Sequence, residues 1–264
     1  MTGDESTGAR TAPEPSLPLE EAVHSQSAEA LGSAAAHPAL TEDLALALLN
    51  RSDLPAEALE ALSKNASLIQ HRKVRLGLVG HPHTPRHVSL PALRHLYTFD
   101  LMQLALTPVV PADVKRAAEE VLVTRLETIS SGEQLTLAHR ASGRIAGELL
   151  LAKEARVMQA ALENSRLTES AVVKALTRRD APAGLVETTC HHPKWSRRQE
   201  VRIALLRNEK TPLACALEFA RSLSPALLRE VLHSSRLPAS AKTYLLKEAE
   251  EKKSPLRRSI EKRP

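Results

Sequence analysis

Six short turns recur along this chain, and what they share leaves few folds open to it. "NRSDLP" (50–55), "GHPHTP" (80–85), "LTPVVP" (106–111), "NSRLTE" (164–169), "RNEKTP" (207–212) and "HSSRLP" (233–238) each close on Pro, or once on Glu. Seven residues before the closing position stands an aliphatic side chain every time: Leu48, Leu78, Leu104, Leu162, Leu205 or Val231. Eleven before it stand Leu44, Val74, Asp100, Met158, Val201 and Leu227, apolar in five of the six. A separation of four puts both positions on one helical face. After the turn Leu59, Val88, Val114, Val172 and Val173 begin a new apolar stripe. With two looser turns added, "HRASGR" (139–144) and "HHPKWS" (191–196), the closing positions fall 30, 26, 33, 25, 27, 16 and 26 residues apart. Self-similarity near this period, with helices between the turns, predicts an all-α, right-handed α-solenoid of short stacked helices over residues 41–250. The interval of 16 breaks the series; it implies a shortened helix or a local shift of phase.

The turn chemistry points the same way. Proline at a first helical position gives up a donor that would have no partner there. Thr84, Thr211 and Ser224 precede such prolines and are expected to cap the next helix. "SGEQ" at 131–134 has the spacing of a capping box, and Asn50, Asn164 and Asn208 close helices where a left-handed residue is expected. His81, His83 and His87 then read as decoration of a turn, and their joint replacement by Gln is expected to shift the melting temperature little.

Composition agrees. Of 264 residues 42% are hydrophobic but only 2% aromatic, so Leu, Ala and Val carry the core, which favours helix over strand. Two cysteines, Cys190 and Cys215, cannot build a disulfide framework or a four-thiolate zinc site. "MTGDESTGAR" lacks the basic and apolar parts of a secretory leader, and no run of 18 apolar residues is present, so a cytoplasmic chain that does not span a membrane is expected. Residues 1–40 carry six acids against Arg10 and read as an acidic, mostly disordered tail with room for a short helix in "LPLEEAVHSQSAEALG". Residues 251–264 form a basic tail of six Lys or Arg against two Glu. The overall charge of +5 therefore leaves +6 on the part between the tails.

"GHPHTPRHVSLPAL", "NEKTPLACALEFA" and "NRSDLPAEALEAL" resemble the Asn-Pro-x-Thr-Pro turn and Leu-rich helix of leucine-rich-repeat-variant proteins. More loosely they are similar to HEAT-like, armadillo-type solenoids. The resemblance spans residues 41–250. It departs from the family in its longer, irregular repeats and in lacking the N-terminal cysteine cluster that some members use for an iron–sulfur centre. It implies a stacked helical fold and supplies no catalytic residue.

The remaining constellations do not assemble a catalyst. Five histidines lie between residues 71 and 95, yet no Asp, Glu or Cys falls between 61 and 99, so a metal shell lacks ligands. Cys190 and His191 are adjacent, and the pairs Glu119–Glu120 and Glu42–Asp43 are consecutive, so on helices their side chains diverge and read as solvated. There is no G-x-S-x-G, P-loop or dinucleotide fingerprint. A non-catalytic interaction scaffold without a cofactor is expected, binding a protein partner with an acidic surface. Nucleic acid is the alternative; five aromatics make a poor stacking platform and a poor pocket for the extruded base of a glycosylase. The binding surface is expected in "HHPKWSRRQEVRIALLRN", where a helix from Trp195 would align Trp195, Arg198 and Arg202, with Arg197 flanking. The competing reading has Trp195 filling the irregular interval of the repeat while the arginines are simply solvated.

Overall fold

The computed structural model describes residues 18–251, and every regular element among them is helical. The α-helices are α1 (Leu19–His24), α2 (Ala28–Ala35), α3 (Glu42–Leu49), α4 (Ala56–Lys64), α5 (Ala66–Gln70), α6 (Arg72–Gly80), α7 (Arg86–Ala92), α8 (Thr98–Leu106), α9 (Ala112–Arg125), α10 (Ser131–Arg140), α11 (Gly143–Leu149), α12 (Ala155–Glu163), α13 (Glu169–Thr177), α14 (Ala183–His191), α15 (Gln199–Arg207), α16 (Leu213–Ser222), α17 (Pro225–His233) and α18 (Ala239–Glu251). A 3-10 turn (Leu93–His95) follows α7, whose interior Pro91 cannot donate to the helical ladder. No helix among the described residues is long and apolar enough to cross a membrane. The chain divides into two compact units, residues 18–100 with 107–117 and residues 101–106 with 118–251.

In the first unit α1 packs on α2 and α3, α2 on α4, and α3 on α6. Leu31, Leu48, Leu54, Leu59, Leu62 and Leu78 form its core, each side chain worth about 1.5–3 kcal/mol on burial. Residues 18–40, which composition places in the acidic tail, are part of this fold. Val23, Leu31, Ala34 and Ala35 point into the core while Glu20, Glu21 and Glu29 occupy first helical turns, where the helix dipole favours acids. Residues 1–17 and the basic tail from 252 lie outside the described residues. Asp100, the one polar residue in the apolar register, is buried because Arg72 grips it at 2.7–3.1 Å.

In the second unit the neighbours lie two helices apart. α10 packs along α12, α11 on α13, α12 on α14, α13 on α15, α15 on α17 and α16 on α18. This arrangement is compatible with a helical repeat, and it accounts for the interval of 16. "TRRDAP" (177–182) is a turn that the sequence reading passed over; it matches "NRSDLP", down to the Arg178–Asp180 pair that mirrors Arg51–Asp53. Turns leaving α10, α12 and α14 close at 144, 169 and 196; turns leaving α13, α15 and α17 close at 182, 212 and 238. The 16-residue step crosses from one series to the other, so it is a shift of phase and no helix is lost. Leu48, Leu78, Leu104, Leu162, Leu205 and Val231 are all buried, as their register requires.

Polar side chains tie several turns to an earlier turn or to the last turn of an earlier helix. Arg51 donates to the Val23 carbonyl at 3.2 Å, His81 Nε2 to Arg51 at 2.8 Å, Asn164 to Ala138 at 2.7 Å and Asn208 to Leu176 at 2.7 Å. All four stand four residues before the next N-cap. The Asn164 and Asn208 side-chain oxygens also accept the amides of Arg166 and Lys210. This is why these asparagines end helices with extended backbone, ψ of 125° and 132°, instead of the left-handed cap expected of them; Asn50 is right-handed helical. Thr84 and Thr211 turn the other way from expectation. Prolines 85 and 212 occupy the N-caps, and the threonine hydroxyls donate back to Leu78 and Leu205 at 2.6 Å, closing the helix behind them. Ser224 does cap α17. The capping box of α10 is Ser130 with Glu133, one residue earlier than its spacing suggested.

Candidate functional site

Three successive turns of the second unit meet along one edge: the turn after α10 (141–142), the turn after α12 (164–168) and the turn after α14 (192–198). Asn164 binds the Ala138 and Ala141 carbonyls, and Arg166 reaches the Arg140 carbonyl at 3.3 Å. A side chain on Gly143 would overlap the Arg166 carbonyl, so this contact needs glycine for its lack of Cβ. Ser142 and Arg144 hold Glu119 of α9, which is therefore a bridge between helices and not part of a solvated acid pair.

Trp195 decides how the third turn is built. α15 starts at Gln199, so Trp195 lies in the turn and the helical stripe with Arg198 and Arg202 does not form. The indole is buried, 2% exposed, and its Nε1 donates to the Leu162 carbonyl at 2.8 Å. The residue fills the turn, in the manner of the competing reading. His192 Nδ1 accepts the amides of Lys194 and Trp195, and the Lys194 ammonium sits 4.0 Å from the indole centroid. Arg202 donates to the Ser196 carbonyl at 2.6 Å and lies over Phe219, so it is committed to the turn. Arg197 and Arg198 are exposed.

The edge thus presents Arg140, Arg166, Lys194, Arg197 and Arg198, all exposed and none in an ion pair among the described residues. Sequence reasoning found only the last two. Arg140, Arg166 and Lys194 are scattered in the chain and converge because the segments that carry them are hydrogen-bonded to one another. The arrangement can hold anions, for which guanidinium forks offer paired donors. The exposed Glu163 is the counterweight; its charge acts on His192.

Cys190 and Cys215 are both buried, with Cys215 Sγ 3.8 Å from His191 Nε2. Burial, and then the neighbouring Cys215, push the Cys190 thiol far above its ordinary range, which disarms it as a nucleophile. Among the described residues no three His, Cys, Asp or Glu gather as a metal shell would require.

His81 and His192 are held neutral. Burial lowers both below the ordinary imidazole value, against the Arg51 carbonyl at His81 and Glu163 at His192, and each Nδ1 must stay unprotonated to accept a backbone amide. His81, 5% exposed and bonded at both ring nitrogens, is more than the turn decoration read from sequence. With folded-state pKa values below the unfolded value of about 6.5, the unfolded chain binds more protons, so stability is complete above that pH and falls as pH drops through it. Urea unfolding at pH 7.5 and pH 5.5 should show this loss, and His81→Gln should reduce its size; an unchanged pH dependence in the variant contradicts the assignment.

Comparison with known protein families, with curated proteins and with solved structures finds no match to this chain.

Proposed function

We propose that this chain is a right-handed α-solenoid of the HEAT-like, leucine-rich-repeat-variant kind, and that it acts as a non-catalytic scaffold binding an acidic protein partner along its basic turn edge. One observation carries the reading: five exposed cations on three linked turns form no ion pair among the described residues, although the exposed Glu163 lies beside them. Cations left unpaired by a fold are available to a partner and set its on-rate and salt response. An acidic protein is favoured over single-stranded nucleic acid because the tryptophan of this edge is buried and offers little face on which a base could stack.

The test is a binding titration of the full chain with a fluorescein-labelled glutamate-rich peptide at 50 and 300 mM salt. Binding should weaken steeply with salt, and Arg197→Glu with Arg198→Glu should weaken it by about tenfold or more while helicity and melting stay close to wild type, as expected for exposed positions. Equal affinity of the double variant and wild type removes this edge as the site. Tighter, salt-sensitive binding of an oligothymidylate turns the reading to nucleic acid.

A further inference from the structure

The chain holds two cysteines, and the fold brings them together although they lie on different helices. Cys190 stands in the last turn of α14 and Cys215 in the first turn of α16, both buried, and their thiols interact directly. His191 completes the cluster. Its Nδ1 lies 3.0 Å from the Glu187 carbonyl, which can only accept, so Nδ1 carries the proton. The neutral ring therefore presents a bare Nε2, and Cys215 Sγ stands 3.8 Å from it, placed to donate its S–H. The two thiols differ. Cys215 has a proton acceptor at hand, whereas burial, Cys215 itself and the carboxylates of Glu187 and Glu218 all keep the Cys190 thiol protonated. His191 is exposed, and the cysteines are 6% and 7% exposed, which leaves space for a small oxidant but little for a protein.

We propose that Cys190 and Cys215 are a peroxide-reactive thiol pair that closes to a disulfide between α14 and α16, with Cys215 reacting first and Cys190 second. Cys215 passes its proton to His191 Nε2, and its sulfur attacks one oxygen of hydrogen peroxide. The O–O bond breaks, Cys215 becomes a sulfenic acid, and the departing hydroxide takes the proton from His191 to leave as water. Cys190 then attacks the Cys215 sulfur, the S–O bond breaks, and this second hydroxide leaves as water with the Cys190 proton. Two thiols have given up two electrons and two hydrogens, and one peroxide has become two waters. Contact replaces acidity in the second step, since the fold holds the sulfenic sulfur against Cys190. The same weak acidity makes Cys190 a poor leaving group, so the disulfide resists reopening by attack at Cys215. The loop that it closes contains the whole turn after α14, so oxidation braces Lys194, Arg197 and Arg198. This chemistry is independent of what that edge binds.

Treatment of the full chain with hydrogen peroxide, followed by intact mass measurement and thiol counting after unfolding, decides. The wild type should lose both thiols and the mass of two hydrogens without forming dimers, and a dithiol reductant should restore both. Proteolysis without reductant should yield one linked pair of peptides joining Cys190 to Cys215. The oxidised chain should melt about 5–10 °C higher, as closure of a loop of this length implies. Cys190→Ala should stop at a Cys215 sulfenic acid that dimedone captures, and Cys215→Ala should leave Cys190 unmodified at the same peroxide concentration. His191→Gln should slow thiol loss about tenfold or more, the help expected of a positioned proton acceptor, while melting stays close to wild type. Retention of both thiols in the wild type, dimers linked through them, or oxygen added to Cys215 in place of the link overturns the pair. Equal peroxide reactivity of the two cysteines in the single variants, or oxidation of His191→Gln at the wild-type rate, overturns the order of reaction and the part given to His191.

Discussion

Replacing Trp195 by Ala should lower the stability of the protein by about 3–5 kcal/mol, the largest single loss expected of any side chain outside the leucine core. Two effects add. The indole is 2% exposed and fills the space between the turn after α14 and the end of α12, so its removal leaves a cavity that short turns cannot close. Its Nε1–H also serves the Leu162 carbonyl, which would be left without that donor. Trp195→Phe separates the two: the ring stays, the donor goes, and about 1–3 kcal/mol should be lost. Urea denaturation followed by circular dichroism measures both. A loss below about 1 kcal/mol for Trp195→Ala would mean that the ring packs in solution no better than a surface residue. Since Trp195 is the chain's single tryptophan, its fluorescence in the wild type should be blue-shifted and should report the unfolding of this turn directly.

Gly143→Ala should cost about 2–3 kcal/mol, although alanine is the better helix former. The added methyl would run into the backbone carbonyl of Arg166, and a backbone atom cannot swing aside as a flexible side chain can. Relief requires the turn after α12 to move off the turn after α10, stretching the Asn164 bonds to Ala138 and Ala141. Gly132→Ala is the control. It lies in α10 with nothing near its would-be Cβ, so the same substitution there should leave stability unchanged or raise it by up to about 1 kcal/mol. Thermal melting of the two variants side by side checks the contrast; equal melting temperatures would contradict the proposed turn contact.

Much of the fold was legible because it depends on apolar register. Leu48, Leu78 and their equivalents announce themselves by spacing alone, since a helix buries whatever recurs every third or fourth residue. The turns were half legible. "TRRDAP" carries the same Arg-x-Asp-x-Pro pattern as "NRSDLP", yet it opens on Thr177 where the other has Asn50, and passing over it hid the phase shift. Asp100 looked like a flaw in the register because its partner, Arg72, lies 28 residues away. The candidate interface was the least legible part. Trp195 with Arg198 and Arg202 forms a stripe only if a helix already runs through residue 195, and the four residues before Gln199 are a turn instead. Arg140, Arg166 and Lys194 belong together only once the hydrogen bonds between their segments are formed.

Among the described residues, the long-range bonds from side chains to backbone carbonyls run in one direction. Arg51, His81, Asn164, Trp195, Asn208 and Ser235 each supply the donor, and the acceptor is always a carbonyl 26–33 residues nearer the N-terminus. During synthesis the donors of these latches therefore emerge from the ribosome to find their carbonyl acceptors already made, whereas Arg72 must wait for Asp100. These latches can close vectorially, each on finished structure, at a pace set by translation of about 5–20 residues per second. Loss of material on the C-terminal side of a latch then uncovers carbonyls that water satisfies, whereas loss on its N-terminal side strands buried amide and indole donors, so the two sides of each latch are unequal in the damage they tolerate.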